Sequence, residues 1–273
     1  MGPDASALLQ TERLTKRFGG VLASDAITLD IAPNEVHAVI GPNGAGKTTL
    51  IGLLSGEISP LSGSIHFDGA DITRLPVHRR SQIGLARSFQ ITSLFRDFTA
   101  LDNVALAVQA HCGHSFRFWR DARREDELRK PALAALDRVG LRERADVRVD
   151  KLSHGEHRQL EIAMALATEP RLLLLDEPMA GMGPEESARM VQMLRALKGS
   201  VTILLIEHDM EAVFALADRL TVLVYGRIIA SGSPQAVRAD AAVRQAYLGE
   251  KESGGQVAHQ HAHQDTHQGG RHG

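Results

Sequence analysis

The chain has 273 residues, of which 43% are hydrophobic and 23% charged, as in ordinary globular proteins. This length corresponds to one or two domains and is sufficient for a substantial buried core. The 31 Lys and Arg residues against 33 Asp and Glu give a net charge of −2, which argues against a protein built mainly to neutralise nucleic-acid phosphates. The single cysteine, Cys112, cannot form an internal disulfide and indicates a reducing compartment.

The apolar runs of the chain are short. A membrane-spanning helix needs roughly 18 apolar residues, so we expect no membrane span. The first residues also lack the basic start and apolar core of a secretory signal, and we expect none.

The first part of the chain predicts β-strands and a glycine-rich loop. Alternating apolar residues over 27–31 are typical of a half-buried strand, and the apolar run 36–40, bounded by turn residues, is typical of a buried one. Residues 41–46 predict a loop and residues 47–54 a helix. Residues 55–71 are rich in Gly, Ser and Asp and predict turns with one short antiparallel strand.

From about residue 91 to 168 the pattern becomes helical, which predicts an α-helical insertion. The apolar residues at helical spacing are those at 101, 104, 105 and 108 and at 133, 136 and 139. Strand-like runs return beyond residue 169, separated by helical segments, and this alternation is typical of a parallel sheet. They are the runs 172–175, 201–206 and 220–224.

Residues 251–273 are rich in Gly, Gln and His and have almost no apolar side chains. Such a segment cannot bury enough surface to order itself, so we expect a disordered tail following a globular unit over residues 1–250. Five of the 13 histidines lie in this tail. Because imidazole is a common metal ligand, metal binding stays an alternative to a merely solvated tail.

Residues 41–48 read Gly-Pro-Asn-Gly-Ala-Gly-Lys-Thr and match the pattern G-x-x-x-x-G-K-[ST] between a predicted strand and a predicted helix. Glycines let backbone N–H groups surround a phosphate, and the helix N-terminus adds partial positive charge. We expect Lys47 to reach the β- and γ-phosphates of a nucleotide and the Thr48 hydroxyl to bind Mg²⁺. The motif alone indicates only a nucleoside triphosphate, because kinases, GTPases and transport ATPases share it.

Two further strand ends carry polar residues. Asp176 and Glu177 follow the four leucines at 172–175, at the edge where parallel sheets place ligands. Asp176 suits Mg²⁺ or its water shell, and Glu177 suits the orientation and deprotonation of an attacking water. His208 follows the run 201–206 and is placed to donate a hydrogen bond to a γ-phosphate or to hold the attacking water. The alternatives are solvent-facing acids and a structural histidine.

Ser153 is followed three residues later by Glu156, which predicts a helix N-terminus with a capping box. The apolar face of the next residues predicts an amphipathic helix. An ordinary capped helix is one interpretation. The other is a phosphate site, because the helix start with Gly155 also offers backbone N–H groups.

Together, these motifs resemble the nucleotide-binding subunit of an ABC transporter. The order of the phosphate-binding loop (residues 41–48), Gln90, the signature loop (residues 153–156), the acidic pair at 176–177 and His208 is the order found in that family. The resemblance covers about residues 8–250. It implies an α/β fold of the P-loop NTPase type, with a mostly parallel sheet, an antiparallel β subdomain and an inserted α-helical subdomain at about 91–168.

The resemblance implies that the cofactors are ATP and Mg²⁺. Phe18 would stack on the adenine, and Thr48, Gln90 and Asp176 would hold Mg²⁺. Gln90 would also sense the attacking water and link the site to a membrane partner. The residues expected to bind the phosphates are Gly41, Pro42, Asn43, Gly44, Ala45, Gly46, Lys47, Thr48 and Thr49.

The same resemblance implies a shared site between two subunits. Ser153 and Gly155 would contact the γ-phosphate of ATP held by the opposite subunit. Glu177 would be the general base, and His208 would hold the γ-phosphate.

Some positions depart from the family's commonest pattern. His154 and Glu156 replace Gly and Gln in the signature loop, but Ser153 and the backbone make the main contacts, so we expect function to survive. Residues 179–183 lack the usual acid, which puts in doubt the detail of communication between the two sites. Phe18 replaces the more usual Tyr, which keeps stacking but loses the hydroxyl.

Within the family the chain is similar to the ATPases of branched-chain amino acid importers, and those of urea and short-chain amide importers share many of the same features. An ATPase of an exporter or of lipid trafficking stays open as well, because its chemistry is the same. The segments that carry the closer resemblance are 18–20, 86–90, 152–156, 160–163, 180–183 and 247–249.

The resemblance also implies the partners. These are a second ATP-binding subunit, more often a related chain than a second copy, separate membrane permease subunits and, indirectly, an external substrate-binding protein, with no nucleic acid. The chain would lie at the cytoplasmic face of the inner or plasma membrane. The aromatic and basic segment 114–124 is a mixed solvated helix surface, a lipid or nucleic-acid surface, or a contact with the membrane partner near residues 94–98.

Overall fold

The structure is a computed structural model that describes residues 7–88, 94–111 and 126–245. Five predictions fall outside these residues, namely those for Gln90, Cys112, the segment 114–124, the segment 247–249 and the tail 251–273. In the described part of the chain, no helix has both the length and the hydropathy needed to cross a membrane.

The strands of the described residues lie in two sheets. They are β1 (Leu9–Phe18), β2 (Val21–Ile31), β3 (Val36–Ile40), β4 (Ser62–Phe67), β5 (Ala70–Asp71), β6 (Leu85–Arg87), β7 (Leu172–Asp176), β8 (Thr202–Ile206), β9 (Arg219–Val224) and β10 (Arg227–Gly232). The helices are α1 (Lys47–Ser55), α2 (Val77–Gln82), α3 (Ala100–His111), α4 (Asp126–Arg138), α5 (His154–Leu166), α6 (Pro184–Leu197), α7 (Met210–Leu216) and α8 (Pro234–Ala239).

The larger sheet has the order β10-β9-β3-β8-β7-β6, and every neighbouring pair is parallel except β10 with β9. The smaller sheet has the order β2-β1-β4-β5 and is antiparallel. The predicted α/β fold, with a mostly parallel sheet and an antiparallel β subdomain, is therefore confirmed.

The central strands are buried on both faces, as their continuous apolar sequences predict. In β7, Leu172 and Leu174 pack in the core shared with α1 and the antiparallel sheet. Leu173 and Leu175 pack on the opposite face, in the core built by helices α3 to α6. Alternation along one strand thus joins both halves of the molecule to the same sheet.

Helices α3, α4 and α5 pack on one another and lie within the predicted insertion. The last residue of the apolar spacing 133, 136 and 139 lies just beyond α4, which ends at Arg138. Val139 is buried in the turn that follows, where Gly140 has a φ of +75°. A glycine in this left-handed conformation commonly ends a helix.

Candidate nucleotide site

The phosphate-binding loop connects β3 to α1, in the strand–loop–helix context that the motif requires. Two of its residues, Gly44 and Gly46, have φ values of +78° and +101°, a conformation that favours glycine. At Gly41 a Cβ atom would lie 2.1 Å from the carbonyl oxygen of Leu223. The loop therefore depends on its glycines to pass close to neighbouring strands.

Lys47 is buried at the start of α1. Its Nζ atom donates hydrogen bonds to the carbonyl oxygens of Gly41, at 2.6 Å, and Pro42, at 3.0 Å. The ammonium group is thus held across the mouth of the loop. Helix α1 has no side-chain cap at Gly46, so its first backbone N–H groups are available to an anion. Thr48 is exposed in the same first turn.

Asp176 ends β7 with its side chain buried, and Arg87 at the end of β6 donates a 3.0 Å hydrogen bond to its Oδ2 atom. Arg87 also pairs with the more exposed Glu57. Burial raises the pKa of Asp176, and the charge of Arg87 partly opposes this rise. The carboxylate of Asp176 and the hydroxyl of Thr48 are oxygen donors of the kind that Mg²⁺ prefers, so the donor set fits this ion.

The structure brings Glu177 and His208 together. Asp176 pairs with Ile206 across the parallel strands β7 and β8, so the residues that follow both strands meet at one edge. His208 Nδ1 lies 3.7 Å from Glu177 Oε1. Glu177 has a φ of +48°, and its N–H donates to the carbonyl oxygen of Ile206 at 2.9 Å. A non-glycine residue in this conformation is uncommon and is found at functional sites.

A second carboxylate supports this edge. Glu207 is fully buried and accepts hydrogen bonds of 3.0 Å from the backbone N–H groups of Met179 and His208. The N–H of Asp209 also donates to it. Burial raises the pKa of Glu207, and these three donors work against the rise.

The signature loop forms the N-terminus of α5, and the predicted capping box is confirmed. Ser153 Oγ accepts from the Glu156 N–H at 3.2 Å, and Glu156 Oε2 accepts from the Ser153 N–H at 2.8 Å. Gly155 packs beside Glu186, whose Oε1 atom would lie 3.1 Å from a Cβ placed there. Among the hydrogen bonds of the described residues, none joins Ser153 to the phosphate-binding loop.

Phe18 ends β1 at the turn into β2, with about half of its surface exposed. Lys16 Nζ lies 5.2 Å from the centre of its ring, a cation–π contact. The carbonyl oxygen of Ala23 would lie 2.2 Å from a Cβ at Gly46, so the start of β2 packs directly on the phosphate-binding loop. The ring therefore lies in the hairpin next to this loop.

Comparison with known proteins agrees with this geometry. The family model described as ABC transporter matches residues 24–180. The high-affinity branched-chain amino acid transport ATP-binding protein BraF of Pseudomonas aeruginosa is 39% identical over 250 residues, which are 89% of this chain and 98% of BraF. The chain belongs to the ABC transporter ATP-binding family. Its activity is the hydrolysis of ATP coupled to transport.

Other relatives also match this ABC ATPase over nearly their whole length. LivG of Escherichia coli, described by the same function as BraF, is 38% identical over 89% of this chain and 98% of LivG. The lipopolysaccharide export system ATP-binding protein LptB of Acidithiobacillus ferridurans is 35% identical over 90% and 98%. A further model, described as branched-chain amino acid ATP-binding cassette transporter, matches residues 227–253.

Solved structures confirm the fold of the ABC ATPase. The ADP conformation of an ATP-binding cassette of an ABC transporter superposes with a TM-score of 0.79 at 30% identity, over 89% of this chain and 99% of the other. A nucleotide-free cassette gives 0.78 at 29% identity, over 88% and 98%.

Sequence reasoning gave no role in this ABC ATPase to Arg87 or Glu207. Arg87 lies in the segment 86–90, and Glu207 lies between the run 201–206 and His208. A charged residue beside a buried strand end is the signal that points to each. Their partners, Asp176 and Met179, lie 89 and 28 residues away in the chain, and no local pattern indicates such contacts.

Proposed function

We propose that this chain is the ATP-hydrolysing subunit of an importer for branched-chain or related amino acids. The observation that carries the proposal is the match of residues 227–253 to the C-terminal model of branched-chain amino acid cassettes. The 38–39% identity to BraF and LivG supports the same substrate class. Residues 1–250 then form the cassette, and residues 251–273 a tail outside it.

ATP binds with its phosphates in the phosphate-binding loop and its adenine on Phe18. Lys47 already directs its ammonium group at the carbonyl oxygens of this loop, and it exchanges them for β- and γ-phosphate oxygens. Thr48, Asp176 and Gln90 would hold Mg²⁺, which would neutralise phosphate charge. The glycines keep the backbone N–H groups directed at the same phosphates.

Hydrolysis depends on the pair at the ends of β7 and β8. Glu177 accepts a proton from the attacking water, whose oxygen forms the new bond to the γ-phosphorus as the bond to ADP breaks. His208, 3.7 Å from Glu177, donates a hydrogen bond to the γ-phosphate. Their separation leaves both side chains able to reach one water and one phosphate oxygen.

A second ATP-binding subunit completes the site. The N-terminus of α5, with Ser153 and Gly155, presents its N–H groups to the ATP held by the other subunit. Closure of the two subunits is driven by contacts that ATP makes only in the closed pair. Loss of the γ-phosphate removes these contacts, and the pair of subunits opens again. We infer that the second subunit is a related chain rather than a second copy.

The force of closure reaches separate permease subunits near residues 94–98. Phe95 and Phe98 are exposed there, with ring centres 5.4 Å apart, and exposed aromatic pairs are typical of protein interfaces. The chain then lies at the cytoplasmic face of the inner or plasma membrane, and an external substrate-binding protein delivers the amino acid.

Uptake in cells tests the substrate class. We expect deletion of the gene for this chain to abolish high-affinity uptake of labelled leucine, isoleucine and valine, and the wild-type gene to restore it, but a Lys47→Ala gene not to. Normal leucine uptake with lost uptake of urea or a short-chain amide contradicts the proposed substrate class and favours that importer type.

The 35% identity to LptB favours a second candidate, the ATPase of an export system. The permease that copurifies with the chain distinguishes the amino acid importer from the export system. An importer of amino acids also depends on an external binding protein. Unchanged amino acid uptake together with accumulation of lipopolysaccharide in the inner membrane favours export.

A further inference from the structure

Glu207 is a buried carboxylate at the nucleotide edge of the sheet, and the proposed mechanism does not use it. It follows β8 directly, precedes His208, and its side chain is 1% exposed. A carboxylate in such surroundings is costly unless its oxygens are satisfied. The groups that bond to Glu207 therefore indicate its function.

Those groups belong to two different loops. Glu207 Oε1 accepts from the N–H of Met179, in the loop that follows Glu177. Glu207 Oε2 accepts from the N–H of His208, and the N–H of Asp209 donates to the same carboxylate. One side chain thus fixes the backbone beside both residues of the proposed hydrolytic pair.

Only a carboxylate of this length satisfies the arrangement. Two acceptor oxygens face N–H donors from both sides, and an amide would turn its NH₂ group towards one of them. A buried donor without an acceptor is destabilising, so the loop that lost its bond would shift. A shift of about 1 Å near a reaction centre lowers the rate by about 100-fold.

We propose that Glu207 is a positioning residue for ATP hydrolysis, which fixes the loop after Glu177 and the backbone of His208 so that the two side chains meet at the attacking water. This inference rests on the proposed roles of Glu177 and His208. Glu207 acts through the backbone groups that bond to it.

A double-mutant cycle of Glu207→Gln and His208→Ala tests the inference. We expect Glu207→Gln to lower kcat for ATP hydrolysis about 10- to 100-fold and to leave the dissociation constant for ATP within about 3-fold of the wild type. Because Glu207 acts partly through His208 and partly through the loop after Glu177, we expect the double variant to lose less kcat than the product of the two single losses. A double variant whose loss of kcat equals the product of the two single losses contradicts the inference.

Two measurements separate this role from a general loss of stability. In Glu207→Gln we expect faster amide hydrogen exchange at residues 179–183 and 208–209, with β7 unchanged. Thr221→Val is the matched control, since Thr221 is buried and bonds His37 and Ser231 elsewhere in the sheet. We expect Thr221→Val to lower Tm and to leave kcat unchanged. An equal loss of kcat in this control overturns the positioning role.

The remaining outcomes are also decisive. If Glu207→Gln does not fold, Glu207→Asp keeps the charge but is one methylene too short to reach both loops. Wild-type kcat in folded Glu207→Asp contradicts the inference. Wild-type kcat in His208→Ala contradicts the proposed role of His208 and the inference with it. If His208→Ala is slow and the double variant loses the full product of the two single losses, only the inference is contradicted.

Discussion

Replacement of Arg87 by methionine removes the cation beside Asp176 while keeping an unbranched side chain. The Asp176 side chain is 4% exposed and that of Glu57 43%. An exposed ion pair contributes at most about 1 kcal/mol, whereas a buried charge left without its partner costs about 3–5 kcal/mol. The side chain of Arg87 is itself 11% exposed. We therefore expect a loss at the lower end of this range, about 3 kcal/mol in the free energy of unfolding. This corresponds to a fall in Tm of about 6–12 °C.

The loss depends on pH with a definite sign. Burial raises the pKa of Asp176 above its unfolded value, so its contribution to stability falls as pH rises through the folded pKa. Without Arg87 this pKa rises further. The difference between variant and wild type is therefore full at pH above both folded pKa values, and it shrinks at acid pH, where Asp176 is protonated in both proteins.

Urea denaturation followed by circular dichroism at neutral and at acid pH measures both effects. Arg171→Met is the matched control. Like Arg87, Arg171 makes two hydrogen bonds to carboxylate oxygens, but both are to Asp68, and both side chains are more than half exposed. We expect a clearly smaller loss there. Equal losses in the two variants, or a loss in Arg87→Met that is the same at both pH values, refute the reasoning.

Three further predictions concern the site. Lys47→Ala removes the buried cation of the phosphate-binding loop and should abolish ATP binding by titration calorimetry, while a normal affinity refutes its role. Gly41→Ala places a Cβ 2.1 Å from the Leu223 carbonyl oxygen and should lower both Tm and ATP affinity. Gly20→Ala, with no atom within 4 Å, should change neither, and similar losses in both contradict the packing argument. Ser153→Ala removes the cap of α5 and should cost about 1 kcal/mol of stability and abolish cooperative ATP hydrolysis, whereas unchanged cooperativity contradicts the shared site.

Local patterns in the sequence predicted the elements that build the site. The alternation of Ile27, Leu29 and Ile31 in β2 is confirmed, because all three are buried. The phosphate-binding loop and the polar ends of β7 and β8 were also predictable, because parallel strands place their carboxyl ends at one edge. The strand order places the ends of β7 and β8 side by side, and Glu177 and His208 lie 3.7 Å apart there.

Contacts between distant segments were not predictable. The pairing of Arg87 with Asp176 and the bond from Met179 to Glu207 depend on which strands become neighbours and on side-chain length. Apolar spacing also does not mark the end of α4, because Val139 keeps the spacing while Gly140 adopts a left-handed conformation. Apolar spacing reports burial, which continues into the turn after a helix has ended.

Sedimentation of Glu177→Gln in the presence of ATP and Mg²⁺ tests the central claim most directly, namely that a second subunit completes the hydrolytic site through Ser153. The variant is measured alone and mixed with the ATP-binding chain that copurifies with it. The account predicts that ATP, but not ADP, doubles the sedimenting mass in at least one preparation, and that adding Ser153→Trp prevents this. A monomer in both preparations at saturating ATP, or a dimer that tolerates Ser153→Trp, contradicts it.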